Sequence, residues 1–481
     1  MIIWTNKAMF ALLVILLYGC SFAPKYQRPP MPIPTQYKET GKWVSTEPYL
    51  VTVTANQPWW ALFHDHTLTA LEQKVTCDNN NLKIAVARYQ EARAIADVTR
   101  SAMYPTIQGI GTIAKQKNSA TFVSTSNAPL LYSTFLFTSY LNYEVDAWGR
   151  VKNSVIASDS LSRASAFDLA AIDLSLHAEL ASDYYSLRGY DEAQHVLDKT
   201  VQAYEKALYL TRQRHLGGMV AVAEVDEAIS RVENAKTAAA DNKLKRAQLE
   251  HAIAILIGEI PANFHLGPKK SAFHYPTVSP DLPSTLLLQR PDISAAAQRV
   301  RAANAQIGVA RAAFFPAFNL IGLLGLESSQ ISKLFSSQSL FWSLGPSTAL
   351  TLIQPEISQV IFDGFKLQAL LYKAKASYYE SVNAYKETVL TAFREVEDQL
   401  VAIHRLNQEK ETSAKATIAA IRALSQANQQ YRGGLVTYLD VVIYEDAALQ
   451  SELSLISIKT RRQLASVQLM KALGGGWQEP G

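Results

Sequence analysis

Tyr431-Arg432-Gly433-Gly434-Leu435-Val436-Thr437-Tyr438-Leu439-Asp440 reads as a tight, glycine-centred turn between two very long helical patterns. A second copy, Arg214-His215-Leu216-Gly217-Gly218-Met219-Val220-Ala221-Val222-Ala223-Glu224, lies upstream. Gly217 precedes Gly433 by the same interval as Glu224 precedes Asp440. Each half of the chain is therefore expected to be a helical hairpin with a Gly-Gly tip. The repeat continues outward from the tips. Asn81 stands before Pro105 at the same spacing as Asp292 before Pro316. Arg100 and Arg311 are separated by the same interval as Ala102 and Ala313. Asp146-Ala147-Trp148-Gly149 answers Asp363-Gly364-Phe365. Ordered prolines, glycines and tip carboxylates at one spacing define two copies of one plan.

The helices flanking the tips are unusually long. No proline occurs between Pro129 and Pro261, or between Pro355 and Pro480. Val151 to His215 would span about 100 Å at 1.5 Å per residue, and Lys366 to Arg432 is comparable. Gly189 marks a place where the first of these is expected to bend or join. Near the tip Leu197, Val201, Tyr204, Leu208, Thr211 and His215 follow seam spacing, answered by Val222, Val225, Ile229 and Val232.

Between the helices the chemistry changes. Thr106–Lys117 and Leu131–Glu144 read as strands around a polar loop at Asn118-Ser119-Ala120-Thr121. In the second strand Phe135, Phe137, Leu141 and Tyr143 share one parity, and Thr134, Thr138, Asn142 and Glu144 the other. That alternation suits a membrane barrel strand. The second half predicts a strand over Ala317–Glu327, a loop over Glu327–Gly345 and a return strand over Pro346–Phe362. Four strands cannot close a barrel, and lipid forbids an open edge, so several chains must share one barrel. If the strands were instead soluble hairpins, the chain would be a structural coiled-coil lipoprotein.

The ends and the link complete the plan. Residues 1–19 read as a signal peptide, with Lys7 before an apolar run from Met9 to Leu17. Leu17-Tyr18-Gly19-Cys20 resembles a lipobox, which makes Cys20 the acylated first residue of the mature chain. Ser21, not aspartate, follows it. Residues 20–58 carry seven prolines and read as an extended, lipidated tether. The first repeat is assigned to 59–270, with strands at about 104–145 and its tip at 214–224; the second to 271–481, with strands at about 315–362 and its tip at 431–440. His64-Asp65-His66 holds metal-ligand residue types but no third ligand at helical spacing, and reads as a helix start with Asp65 near the N-cap. Asp292, after Pro291, is expected to cap the next helix.

Composition excludes several classes. A net charge of +4 over 481 residues, with no charged block, gives no case for nucleic acid. Two cysteines, Cys20 and Cys77, make neither a disulfide framework nor a cysteine zinc cluster. No apolar stretch after the signal segment is long enough for a membrane helix. There is no phosphate-loop, nucleophile-elbow or His-Glu-x-x-His motif, and an enzyme is not expected.

The whole pattern resembles the TolC/OprM outer-membrane factors, in the lipoprotein branch (NodT-type) attached to resistance-nodulation-division efflux pumps. The residues that carry the resemblance are Pro24-Lys25-Tyr26-Gln27-Arg28-Pro29, Trp59-Trp60-x-x-Phe63-x-Asp65, Arg290-Pro291-Asp292-Ile293, Ile361-Phe362-Asp363-Gly364 and Lys471-Ala472-Leu473-Gly474-Gly475-Gly476-Trp477. Gln289 stands where that family often has arginine. The resemblance implies a mainly α fold with a membrane β-barrel part: a homotrimer with a twelve-stranded barrel and a periplasmic helical tunnel. It implies an exit duct for drugs or other small molecules, with a periplasmic adaptor and an inner-membrane pump as partners, and no cofactor beyond the lipid on Cys20. A type I protein-secretion duct is the alternative within the family. The resemblance places a gate just after the tip, at Leu439 and Asp440, with Asp446 and, in the first repeat, Glu224 and Asp226 nearby. Ile443 stands where the family has a further aspartate. Gly217, Gly218, Gly433 and Gly434 are expected to let the turns adopt positive φ and let an adaptor hairpin approach closely.

Overall fold

The computed structural model describes residues 21–39, 58–117, 119, 131–269, 273–276, 290–345 and 362–477. Cys20 and the signal segment lie outside the described residues, as do most of the 118–121 loop and residues 346–361, where most of the return strand is expected. In chain order the elements are α1 (His66–Asp78), α2 (Asn80–Ser101), β1 (Thr106–Lys117), β2 (Leu131–Val145), α3 (Arg150–Leu216), α4 (Val222–Leu256), α5 (Pro291–Ala312), β3 (Phe318–Ser328), β4 (Leu340–Gly345), α6 (Lys366–Arg432) and α7 (Tyr438–Ala472).

The internal repeat is written in these lengths. Helices α2 and α5 have 22 residues each, α3 and α6 have 67 each, and α4 and α7 have 35 each. The long helices start alike. Asp146 accepts the Val151 and Lys152 amides at 3.0 and 2.7 Å, and Asp363 accepts the Leu367 amide at 2.8 Å. Each carboxylate satisfies amides left open at a helix N-terminus. Helix α3 runs unbroken through Gly189. That glycine allows close packing: a Cβ there would lie 2.5 Å from the Thr460 hydroxyl of α7.

Two compact units divide the chain. One comprises 1–30, 89–166 and 295–386. Its antiparallel sheet has the order β1-β2-β3-β4, so the two repeats join through β2 and β3. The register decides the faces. Gly111, Phe137, Leu326 and Leu340 fall in one row; Gly109, Ser139, Leu324 and Trp342 in another; Ile107, Leu141, Gly322 and Leu344 in a third. These rows share one pleat face, which is chiefly apolar, while the row Gln108, Tyr140, Leu323 and Ser343 and the row Thr112, Leu136 and Glu327 give the other face a mixed character. Ile107, Ile113, Phe137, Leu324, Trp342 and Leu344 are all exposed. Gly325 permits the close β2–β3 pairing, because a Cβ there would lie 2.6 Å from the Phe137 carbonyl oxygen.

The fourth strand corrects the sequence reading. Leu340–Gly345 is already a strand, although the sequence reads Glu327–Gly345 as loop. Its Leu340, Trp342 and Leu344 alternate with Phe341, Ser343 and Gly345, a short period-two signal that the proline at 346 masks. The tether also differs from expectation. Phe22 stacks on Phe315 with ring centroids 4.6 Å apart and lies 6.0 Å from Trp148. Asn304 donates to the Pro24 carbonyl at 2.7 Å, and Arg311 to the Phe22 carbonyl at 3.1 Å. Residues 21–30 are thus fastened to this unit by aromatic burial and carbonyl hydrogen bonds, which a proline count does not reveal.

The other unit comprises 31–88, 167–294 and 387–481. Trp59, Phe63, Leu68 and Val75 pack there against Leu180, Tyr184 and Leu187 of α3, Ile253 of α4 and Val467 and Met470 of α7. Burying each aliphatic side chain contributes about 1.5–3 kcal/mol. Asp65 caps α1, accepting the Thr67 and Leu68 amides, and also takes the Tyr184 hydroxyl at 2.8 Å. Asp292 is not the N-cap of α5. It lies within the first turn and receives Arg290 through two hydrogen bonds, at 3.0 and 2.7 Å. Arg290 also reaches Glu395 at 2.7 Å and the Ala472 carbonyl at 3.0 Å, tying together α5, α6 and the end of α7. The same carboxylate also accepts the Ile293 amide at 2.9 Å, so it serves a guanidinium fork and an open helix amide together.

Candidate functional site

The helix tips lie in this second unit and form by one mechanism. At the first, the Met219 amide donates to the Arg214 carbonyl at 2.9 Å and Gly218 to His215 at 2.8 Å. At the second, Leu435 donates to Gln430 at 2.9 Å and Gly434 to Tyr431 at 3.0 Å. These close the last helical turns, with a left-handed residue at Gly218 (φ 72°) and Gly434 (φ 76°). Gly217 and Gly433 do not take positive φ, so one glycine of each pair supplies the left-handed residue of its turn. Gly218 and Gly434 have open space around the missing Cβ, so their need for glycine is conformational, not steric.

The return helices begin with the expected acids, in unequal settings. Asp440 is the third residue of a capping box on α7: it accepts the Thr437 amide at 2.9 Å and the Thr437 hydroxyl at 2.7 Å. These bonds hold its carboxyl below the usual range. Leu439 beside it is 55% exposed, and Ile443 and Leu435 continue that apolar exposure at helical spacing. Glu224 and Asp226 are exposed at the start of α4. Glu224, Ala228 and Arg231 of α4 line one groove with Tyr438, Leu439 and Val442 of α7.

Asp446 is tied down. It accepts the Tyr204 hydroxyl of α3 at 2.8 Å and the Arg231 guanidinium of α4 at 2.9 Å. Arg231 also pairs with Glu227 at 2.8 Å. Burial, then the neighbouring Asp446 charge, pushes the Glu445 carboxyl up to about 7. Below Asp446 in the helix, toward the tip, Arg214 of α3 bonds the Tyr431 hydroxyl of α6 and lies 4.6 Å from that ring's centroid. Two polar struts therefore fasten the hairpin of one repeat to that of the other.

Tyr204 is legible in the sequence only as a seam residue, and Arg231, Arg214 and Tyr431 carry no signal of their own there. A comparison of repeats finds the first strut. The positions equivalent to Tyr204, Arg231 and Asp446 are Ala420, Ala447 and Ser230. Polar groups present in one repeat and replaced by small residues in the other are not needed to make a hairpin, so they join the two hairpins.

Amphipathic sheet, matched pairs of helices and polar-strutted tips define a membrane-barrel duct subunit with a long helical extension. The profile of the outer membrane efflux protein family matches residues 71–259 and 282–475, and the chain belongs to that family. It is 30% identical to outer membrane protein OprJ of Pseudomonas aeruginosa over 472 residues, covering 98% of this chain and 96% of that one. It is 29% identical to the cation efflux system protein CusC of Escherichia coli over 471 residues, covering 97% of each. A crystal structure of a membrane protein from P. aeruginosa superposes with a TM-score of 0.86 at 30% identity, covering 96% of this chain and 99% of that one. The protein is thus an outer-membrane component of an efflux system, a passive channel and not an enzyme.

Proposed function

We propose that three copies close one twelve-stranded barrel in the outer membrane above a periplasmic helical tunnel, and that the tunnel passes small molecules delivered by an inner-membrane resistance-nodulation-division pump through a periplasmic adaptor. The observation that carries this reading is the four-stranded sheet. Its outer strands β1 and β4 each have one neighbour among the described residues, and one whole face is chiefly apolar. Unpaired backbone groups are intolerable in hydrocarbon, so the edges must meet further copies. The acylated residue is Cys20. Phe22, held against Trp148 and Phe315 just outside the sheet, supports a lipid anchor inserted beside the barrel.

The closed end is set by α7. Leu439 forms an apolar constriction that closes by dewetting, and Asp440, Glu224 and Asp226 supply the acidic ring around it. Asp446, held by Tyr204 and Arg231, keeps α7 against α3 and α4 until an adaptor engages the Gly217-Gly218 and Gly433-Gly434 tips. The test is Leu439→Ala with Asp440→Ala in planar bilayers. Conductance and sensitivity to large antibiotics should both rise. Unchanged conductance with unchanged cation selectivity moves the gate elsewhere. Chemical cross-linking of the same preparation should yield trimers, and a monomer that conducts would overturn the shared barrel. Mass spectrometry should find the mature chain starting at acylated Cys20, and an unmodified first residue other than Cys20 removes the anchor.

A further inference from the structure

Arg246 of α4 and Arg462 of α7 hold the same position in the two repeats, separated by the same interval as the tip glycines Gly217 and Gly433. Their surroundings differ in charge. Arg246 is neutralised: its Nε donates to Asp191 at 2.6 Å and its Nη1 to Glu250 at 3.1 Å. Asp191 takes Arg188 as well, at 2.8 Å. In the second repeat Asn407 replaces Asp191, Ser466 replaces Glu250 and Lys410 replaces Gln194. Both carboxylates that hold Arg246 are therefore lost around Arg462 and a second cation, Lys410, is gained beside it, while His404 replaces Arg188 and new acids enter at Glu409 and Glu411.

The structure shows the consequence. The Arg462 guanidinium lies 3.8 Å, and the Lys410 ammonium 5.6 Å, from the centroid of the Tyr275 ring. Among the described residues neither cation has a carboxylate within ion-pair distance, and Arg462 Nε is buried with no acceptor. Of the nearby acids, Glu192 pairs with Lys459 at 3.7 Å and Glu409 with Arg461 at 3.6 Å, while Glu411 acts on Lys410 as a neighbouring charge without forming an ion pair among the described residues. Tyr275 is not the missing anion. Burial raises its pKa even though the Arg462 charge and hydrogen bond pull it down, and its hydroxyl donates to the Lys459 carbonyl at 3.4 Å. Burial, and then the Arg462 charge, lowers Lys410. A ring quadrupole attracts a cation but does not neutralise it. The segment that carries Tyr275 is itself fixed, since Gln463 donates to the His274 carbonyl at 3.0 Å.

We propose that Arg462 and Lys410 bind a small oxyanion, a sulfate, phosphate or low-molecular-weight carboxylate, which supplies in the second repeat the charge that Asp191 and Glu250 supply in the first. A half-buried guanidinium presents a donor fork that such oxygens match. The bound anion fastens residues 273–276 to α6 and α7.

The experiment uses the full chain in detergent, with sodium sulfate replacing sodium chloride at constant ionic strength and amide exchange read on the peptide covering 273–276. Sulfate at about ten times its Kd should slow exchange about tenfold, because a ligand specific to the closed form scales protection with its occupancy. Arg462→Gln with Lys410→Gln should lose that response. Asn407→Asp with Ser466→Glu rebuilds the carboxylates of the first repeat, so its peptide should exchange slowly without sulfate and gain nothing from it. A parallel titration with sodium succinate distinguishes a dicarboxylate ligand from a tetrahedral one. No response of the wild type to either anion, or an equal response in the Arg462/Lys410 variant, overturns the proposal.

Discussion

His177→Gln is expected to loosen α1 from the helical core, and the geometry sets the size of the effect. His177 on α3 and Glu72 on α1 are 2% and 0% exposed, with Nδ1 2.6 Å from Glu72 Oε2. The other ring nitrogen faces Asp173 at 3.4 Å and the Thr76 hydroxyl at 3.4 Å, and the ring stacks on Trp60 at 4.4 Å. Glu72 Oε1 has no partner among the described residues. Burial pushes Glu72 up to about 7, although the His177 hydrogen bond and charge pull it down. Burial alone would lower His177, but hydrogen bonds that its ring donates to Asp173 and Glu72, with their charges, outweigh it and leave it at about 9. Both groups hold protons more tightly folded than unfolded. The Glu72 contribution is therefore full below its unfolded value of 4.5 and is lost as pH rises through about 7. The His177 contribution is full below 6.5 and is lost as pH rises through about 9.

Removing one partner of a buried pair costs about 3–5 kcal/mol. Glu72 can take up a proton near neutrality and relieve part of that, leaving about 2–3 kcal/mol at pH 7. Peptides of α1 should then exchange their amides about 30- to 150-fold faster. The assay is exchange mass spectrometry from pH 5 to 9, corrected for intrinsic rates. Wild-type protection should fall as pH rises. Glu72→Leu with His177→Phe keeps a ring against Trp60 and removes both charges, so its protection should be near wild type at pH 7 and flat with pH. A His177→Gln protein as protected as wild type, or a double variant that retains the pH fall, refutes the reasoning.

Gly434→Val places a β-branched residue at φ 76°, which costs about 2 kcal/mol at the tip; export should be abolished with trimer level unchanged, as measured by antibiotic sensitivity beside cross-linking, and a parallel loss of trimer would make the role structural only. Asp446→Ala strands the Tyr204 hydroxyl and Arg231, a loss of about 1–2 kcal/mol after allowance for the partial exposure of the pair, and should raise single-channel conductance; unchanged conductance removes that strut from the gate. Arg290→Ala leaves Asp292 and Glu395 unpaired and the Ala472 carbonyl without its donor, and should lower the thermal midpoint by the equivalent of about 3–5 kcal/mol; a shift under one kcal/mol, on the order of a single surface pair, would make the clamp incidental.

The sequence by itself determined the elements and their duplication. Proline-free runs make long helices, paired glycines end them, and parity along Phe135 to Tyr143 separates an apolar strand face from a polar one. These are local rules, in which spacing along the chain dictates geometry. Only the tertiary structure decided what each polar group does. Asp440 and Asp446 are both acids near one helix start, yet one is oriented by its own capping box and the other is held by residues 242 and 215 positions away. Asp292 takes an arginine fork beside the helix amide that a cap would predict, and Gly189 lies in an unbroken helix against Thr460. The proline-rich start looks free and is packed on Phe315 and Trp148. Partner choice across long sequence separation depends on which side chains the fold brings within about 3 Å, and no periodicity along the chain encodes that distance.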